Sequence, residues 1–277
     1  MQKTFSYLST TIAYRLTGKG QPVVFLHGFG EDGTIWDLQI DFLKDHCMLV
    51  VPDLPGSGKS GLLSQKSKIK SQNKEETGFV SIADYADCIH ALLTHENITS
   101  CKMLGHSMGG YITLAYAEKY PAQLTGFGLI HSTAFADSDE KKMNRQKAID
   151  IIEAYGAYSF LKATTPNLFS AHFKQQYPEK INSLIEDGKS FTKEALQQYY
   201  RAMMLRPDRT NLLKGNPNPV IFVIGTEDIA APLEDVMKQV SLPNISYIYV
   251  LPETGHMGMW EAPDELNHQL FAFINHA

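Results

Sequence analysis

Short apolar runs alternate with longer stretches of helical period along most of this chain. Val23-Val24-Phe25-Leu26 and Val220-Ile221-Phe222-Val223-Ile224 are near-continuous aliphatic runs, as strands covered on both faces require. Further strands are predicted at Met48–Val51, Cys101–Leu104, Gly126–Ile130 and Ile245–Val250, with an opening hairpin from Phe5–Leu8 and Ile12–Leu16. Helices are predicted over Trp36–Leu43, Ile82–His95, Met108–Tyr120, Leu233–Val240 and Pro263–Ile274. Pro121 stops the third of these. The alternation predicts an α/β fold with a mostly parallel central sheet flanked by helices.

Two stretches break the rhythm. Gly61–Gly78 is rich in Lys, Ser, Gln and Glu and reads as a solvated loop that is a candidate gate. Residues 137–216 contain no clear strand run and read as several helices inserted between two core strands, a candidate cap. The expected division is a core of residues 1–136 and 217–277 carrying a helical cap insertion of residues 137–216. No internal repeat and no linker between independent domains is apparent.

Composition narrows the function classes. With 277 residues, 43% of them hydrophobic and 20% charged, the chain has material for one large core. A net charge of −5 without a basic stripe argues against nucleic acid or an anionic membrane as partner. The opening residues lack the apolar segment of a signal peptide, and no apolar stretch has the length of a membrane span. Cys47, Cys88 and Cys101 are odd in number and sit in apolar segments, as buried thiols do. A cytoplasmic protein with a small-molecule substrate is expected, monomer and homodimer both being open.

The chemistry concentrates at Gly105-His106-Ser107-Met108-Gly109, a G-x-S-x-G pentapeptide between a predicted strand and a predicted helix. A serine on so sharp a turn is pushed out of the backbone, and the helix start beyond it offers free N–H groups to a developing oxyanion. A serine hydroxyl needs a base. Of the ten histidines, His90, His95, His268 and His276 fall in helical or terminal positions. His256 lies in a glycine-containing loop after a strand, on the side of the sheet where Ser107 emerges. Gly225-Thr226-Glu227-Asp228 follows another strand and offers two acids to orient the imidazole. Gly56-Ser57-Gly58-Lys59-Ser60 suggests a phosphate loop, but Asp53 occupies the position that needs glycine. No cluster has metal-ligand spacing, so no metal is expected.

The order Ser107, Asp228, His256, each after a strand, resembles the α/β-hydrolase superfamily, and the resemblance covers nearly the whole chain. His27-Gly28-Phe29-Gly30 is similar to the family's oxyanion loop. The segment from Pro52 to Ser60 is similar to its P-D-x-x-G-x-G-x-S stretch, and Thr254-Gly255-His256 with Glu261 and Pro263 to its histidine region. A G-x-x-D-x-x-x-P pattern on Gly225, Asp228 and Pro232 selects Asp228 as the acid, with Glu227 the alternative.

The resemblance implies an α/β-hydrolase fold and a serine hydrolase acting through an acyl-enzyme on a small or medium, largely apolar ester. Phe29 and Met108 would supply the oxyanion N–H groups. Phe135, Met257 and Trp260, close in sequence to site residues, are the expected pocket wall. His27 is read as fixing its loop, and His131 as a satisfied loop histidine. Arg206-Pro207-Asp208-Arg209 is read as a salt-bridged junction. No cofactor is implied. Serine at 107 argues against the dehalogenase and epoxide hydrolase branches, which use a carboxylate nucleophile. Tyr111 stands where the menaquinone-pathway lyase branch usually has arginine. A C–C bond hydrolase or lyase of the same superfamily is the alternative reading, and a non-catalytic ligand-binding protein on the same fold the alternative of a different class.

Overall fold

The computed structural model describes residues 1–64 and 79–276. Most of the stretch 61–78 read as a loop therefore lies outside the described residues. Eight strands form one sheet: β1 (Gln2–Tyr7), β2 (Thr10–Thr17), β3 (Pro22–Leu26), β4 (Met48–Pro52), β5 (Cys101–His106), β6 (Leu124–Ile130), β7 (Val220–Gly225) and β8 (Ser246–Leu251). Their spatial order is β1-β2-β4-β3-β5-β6-β7-β8. The β1–β2 hairpin and the β2–β4 pair are antiparallel, and every later pair is parallel. Successive parallel strands need a crossover, which is why helices separate them in sequence.

The first helices of the core are α1 (Asp37–Leu43), α2 (Ile82–His95) and α3 (Met108–Lys119). Ser81 and Asp84 close a reciprocal capping box that fixes the start of α2. Between β6 and β7 the described chain carries helices and no strand: α4 (Asp139–Tyr155), α5 (Ala157–Thr164), α6 (Ala171–Gln176), α7 (Pro178–Asp187), α8 (Lys193–Met204) and α9 (Thr210–Leu213), with short 3-10 turns. The C-terminal helices are α10 (Leu233–Met237), α11 (Gly258–Glu261) and α12 (Pro263–His276). The predicted helix at 233–240 stops early. The Gln239 side chain is turned inward instead, where it accepts from the Ala134 N–H at 2.6 Å and donates to Thr133 Oγ1 at 2.6 Å.

Alternation along the strands sorts their side chains into two buried layers. Val24, Leu26, Met103, Phe127, Phe222 and Ile224 pack with α2 and α3 on one face. Val23, Phe25, Leu104, Ile130, Ile221 and Val223 pack with α1 and α12 on the other. Both faces of the central strands are thus apolar, which accounts for their unbroken aliphatic sequences. The parallel strands end together, so the loops after β3, β5, β6, β7 and β8 gather at one edge of the sheet. No helix among the described residues is long and apolar enough to cross a membrane.

Candidate active site

Ser107 sits between β5 and α3 with φ +50° and ψ −115°, a strained backbone for a residue with a side chain. The turn is held from several directions. Ser107 N–H donates to the Ile130 carbonyl at 3.0 Å, while its own carbonyl accepts from Gly110 N–H at 2.9 Å and from Ser132 Oγ at 2.7 Å. The turn also packs too tightly for side chains. A Cβ on Gly105 would collide with the Gly109 carbonyl group, and one on Gly109 would lie 2.5 Å from the Leu26 carbonyl oxygen. Sequence pattern and sterics therefore agree on why both flanking positions are glycine.

The His27–Gly30 loop after β3 lies directly against this turn, since a Cβ on Gly28 would approach Ser107 Cβ to 3.1 Å. His27 anchors it: its Nδ1 faces the Gly28 carbonyl at 2.8 Å and its Nε2 accepts from Leu54 N–H at 2.9 Å. With its lone pair taken, His27 is a loop fastener rather than a base. Beneath the loop, buried Glu31 accepts from Gly28 N–H at 2.7 Å and pairs with His106 Nδ1 at 2.9 Å. Burial alone would raise the Glu31 carboxyl, but the charge and hydrogen bond of His106 hold it below the ordinary carboxylate value. His106 Nε2 in turn faces the His256 carbonyl at 2.9 Å. Sequence reasoning did not single out this pair, which joins the two loops on either side of Ser107.

Asp228 and His256 meet at 2.8 Å through Oδ2 and Nδ1, although 28 residues separate them. The other carboxylate oxygen accepts from Ala230 and Ala231 N–H groups at 2.8 and 2.9 Å. Glu227, the alternative acid, is exposed and instead accepts from Ala171 N–H at 3.2 Å. Two loop contacts hold His256 itself. Its N–H donates to the Leu168 carbonyl at 2.7 Å, and Glu261 accepts from the N–H groups of Gly255, Met257 and Ser170.

His131 corrects the reading of a merely satisfied loop residue. Its Nδ1 lies 3.2 Å from Asp228 Oδ2, so one carboxylate oxygen faces two imidazoles. His131 Nε2 is buried without a hydrogen-bond partner among the described residues, and its tip abuts Gly258 where any Cβ would collide. Burial pushes the His131 imidazole down to about 4, partly opposed by Asp228. A neutral ring must then donate its Nδ1 proton to the carboxylate. Burial would raise Asp228, but the two imidazoles hold it far below the carboxylate range. For His256 burial works downward and is outweighed by the Asp228 carboxylate, so its net displacement is upward. His131, Asp228 and His256 also place three donor atoms within 4.8 Å of one another. An ion there would have to replace both imidazole–carboxylate hydrogen bonds.

Ser107 and His256 open onto one cavity of about 180 Å³, well below the ~300–1,000 Å³ of sites for drug-sized ligands. Phe29, Leu161, Leu168, Leu184 and Met203 give it apolar walls, and Tyr111, Tyr200 and Arg145 give it polar ones. The expected wall residues Phe135, Met257 and Trp260 are not part of it. Phe135 lines a separate groove with Arg206 and Pro232, Met257 is fully buried in the layer beneath the sheet, and Trp260 donates its indole N–H to the Ile35 carbonyl at 3.2 Å. Proximity in sequence did not set the direction of these side chains. Part of the wall comes instead from α4, α5, α7 and α8. Arg206 and Arg209 pair with Asp137 and Glu118 at 2.8 and 3.0 Å, which makes the segment an ion-paired junction.

Comparison with known proteins follows the same lines. The chain is 26% identical over 274 residues to the dihydrolipoyllysine-residue acetyltransferase component of the acetoin cleaving system of Pseudomonas putida, covering 94% of this chain and 65% of that protein. It is 24% identical to the (E)-2-((N-methylformamido)methylene)succinate hydrolase of Acinetobacter baylyi, with 95% and 94% covered. A thermophilic esterase from Thermogutta terrifontis superposes with a TM-score of 0.87 at 27% identity, over 98% of this chain and 96% of the esterase. Residues 23–269 match the model of the alpha/beta hydrolase family, and the chain, a hydrolase, belongs to that family.

Proposed function

We propose that the chain hydrolyses carboxylic esters through an acyl-enzyme formed on Ser107. The observation that carries this reading is the 2.8 Å contact between Asp228 and His256, with His256 and Ser107 on the wall of one cavity. His256 Nδ1 is engaged with the carboxylate, which leaves Nε2 as the basic nitrogen. In the proposed sequence Nε2 takes the Ser107 proton as Oγ attacks the ester carbonyl. The resulting oxyanion is met by the N–H groups of Phe29 and Met108. Collapse expels the alcohol, which receives the proton from His256. Water then repeats both steps, releasing the acid and restoring Ser107. Asp228 orients the ring and stabilises the imidazolium.

In this reading residues 137–216 act as a cap over a core of residues 1–136 and 217–277. Eight residues of that stretch line the cavity, Leu161, Leu184 and Tyr200 among them, and support it. A cavity of about 180 Å³ favours small substrates. The test is a panel of p-nitrophenyl esters of increasing acyl length beside Ser107→Ala. Turnover that requires Ser107 and peaks at short acyl chains is expected. Ester turnover unchanged by Ser107→Ala would overturn the mechanism. A folded protein inert toward every ester would point instead to C–C bond hydrolysis by the same serine and histidine.

A further inference from the structure

Among the described residues, the one charged group on the cavity wall outside the loops around Ser107 is Arg145 of α4. It belongs to a small charge cluster. Asp137, with a fully buried carboxylate, takes Arg145 Nε at 2.6 Å and Arg206 Nη1 at 2.8 Å. Two guanidinium groups on one carboxylate leave a net positive charge in a largely desolvated place. Such a charge is unfavourable unless a further anion joins it.

The two arginines are not equivalent. Arg206 is 3% exposed, does not line this cavity, and is held within the protein through Nε and Nη1, donating also to the carbonyls of Phe135 and Met203. Arg145 is 20% exposed, and its only hydrogen-bond partner among the described residues is Asp137, through Nε and a long contact from Nη2. A guanidinium carries five N–H donors, so three of those on Arg145 have no protein acceptor among the described residues. Its surroundings also aim it. The guanidinium lies 5.5 Å from the centroid of Tyr200, and Tyr200 stacks at 4.2 Å on Phe29 beside Ser107. Arg206 covers the Tyr111 ring at 3.8 Å, and Tyr111 stands one helical turn beyond Ser107. Both tyrosines face the cavity that holds Ser107 and His256.

We infer that Arg145 forms an anion subsite in this cavity, and that the preferred substrates carry a carboxylate within a few bonds of the scissile ester. This departs from the expectation of a largely apolar substrate, and it rests on the ester-hydrolase reading only for its kinetic readout. A planar carboxylate matches the free edge of a guanidinium, and the small cavity holds it near the reacting carbonyl.

The experiment compares two near-isosteric pairs by pH-stat at neutral pH. Monoethyl succinate against ethyl levulinate places the charge on the acyl side. The 4-acetoxybutanoate anion against 5-acetoxypentan-2-one places it on the alcohol side. At least a tenfold higher kcat/KM is expected for the anionic member of one pair, and the pair that shows it locates the subsite. In Arg145→Met that ratio should fall to about one, and Arg145→Lys should restore part of it. Equal or better turnover of the neutral member in both pairs by the unsubstituted protein would overturn the inference, whatever the variants do. Calorimetry of monoethyl succinate with Ser107→Ala and with Ser107→Ala/Arg145→Met gives a readout independent of hydrolysis. If no ester is turned over, the hydrolytic reading fails while Arg145-dependent binding still supports the subsite; absent or Arg145-independent binding would then refute it.

Discussion

Replacing His131 by alanine removes one of the two imidazoles on Asp228 Oδ2 and tests what that second ring contributes. Its Nδ1–H bond to a carboxylate is worth ~1.5–3 kcal/mol, while leaving its buried Nε2 unpaired costs ~1–3 kcal/mol. The two polar contributions nearly cancel, so His131 makes little sense as a stabilising group. Its effect belongs to the carboxylate it touches. Sharing Oδ2 between two donors weakens Asp228 as an acceptor for His256, so losing His131 should raise the His256 imidazole further above its ordinary value near ~6.5. The proposed mechanism needs His256 neutral, so activity should fall as pH falls through its pKa. The acid limb of the kcat/KM profile should therefore lie above the ordinary imidazole range and move to higher pH in His131→Ala. If about half of a ~1.5 kcal/mol hydrogen bond is transferred, the limb moves by roughly 0.5 pH unit. His131→Asn can place an amide N–H near the lost Nδ1 and suits the left-handed backbone at φ +49°. Its limb should return toward that of the unsubstituted protein. The measurement is kcat/KM for a short ester between pH 5 and 9, with a thermal melt for each variant. An unmoved limb in a folded His131→Ala protein would refute the coupling and leave His131 a packing residue.

Ser107→Ala should lower ester turnover by at least ~10⁴-fold without changing the melting temperature by more than a few degrees, by kinetics and calorimetry on the same preparation. Glu31→Gln breaks a buried ion pair from one side and should cost ~3 kcal/mol, seen as a melting temperature roughly 6–12 °C lower. Because the Glu31 carboxyl is depressed in the fold, its contribution is present above the ordinary carboxylate value and is lost as pH falls through the folded one. The unsubstituted protein should therefore lose more stability on acidification than Glu31→Gln; parallel pH–stability curves would sink this account. Gly109→Ala presses a Cβ into the Leu26 carbonyl and should destabilise the protein by at least ~1–3 kcal/mol, measurable by urea unfolding.

The sequence was most informative where chemistry and local structure coincide. Ser107 was legible because its turn is written in five adjacent residues between a strand and a helix. His256 and Asp228 were legible through their places after β8 and β7. His131 was not, because its meaning comes from a contact across 97 residues to a carboxylate already assigned a partner. The signal available was its position at the end of β6, beside the other loops of the site. Arg145 is likewise one charged residue among several on a polar helix, and only the packing of α4 against α8 turns it toward the cavity. Phe135, Met257 and Trp260 show the converse error. Nearness along the chain says nothing about which side of a loop an apolar side chain will bury.

The loop carrying His256 is bonded to the inserted helices through the Leu168 carbonyl and the Ser170 N–H, and Gly255 packs too closely on Leu168 and Ser170 to admit a Cβ. Cavity wall and the proposed general base are thereby cut from one piece of cloth. A chimera that grafts residues 137–216 from a relative, to borrow its specificity, would leave His256 docked on a foreign surface. Such grafts should keep activity only when residues 252–261 travel with the insertion.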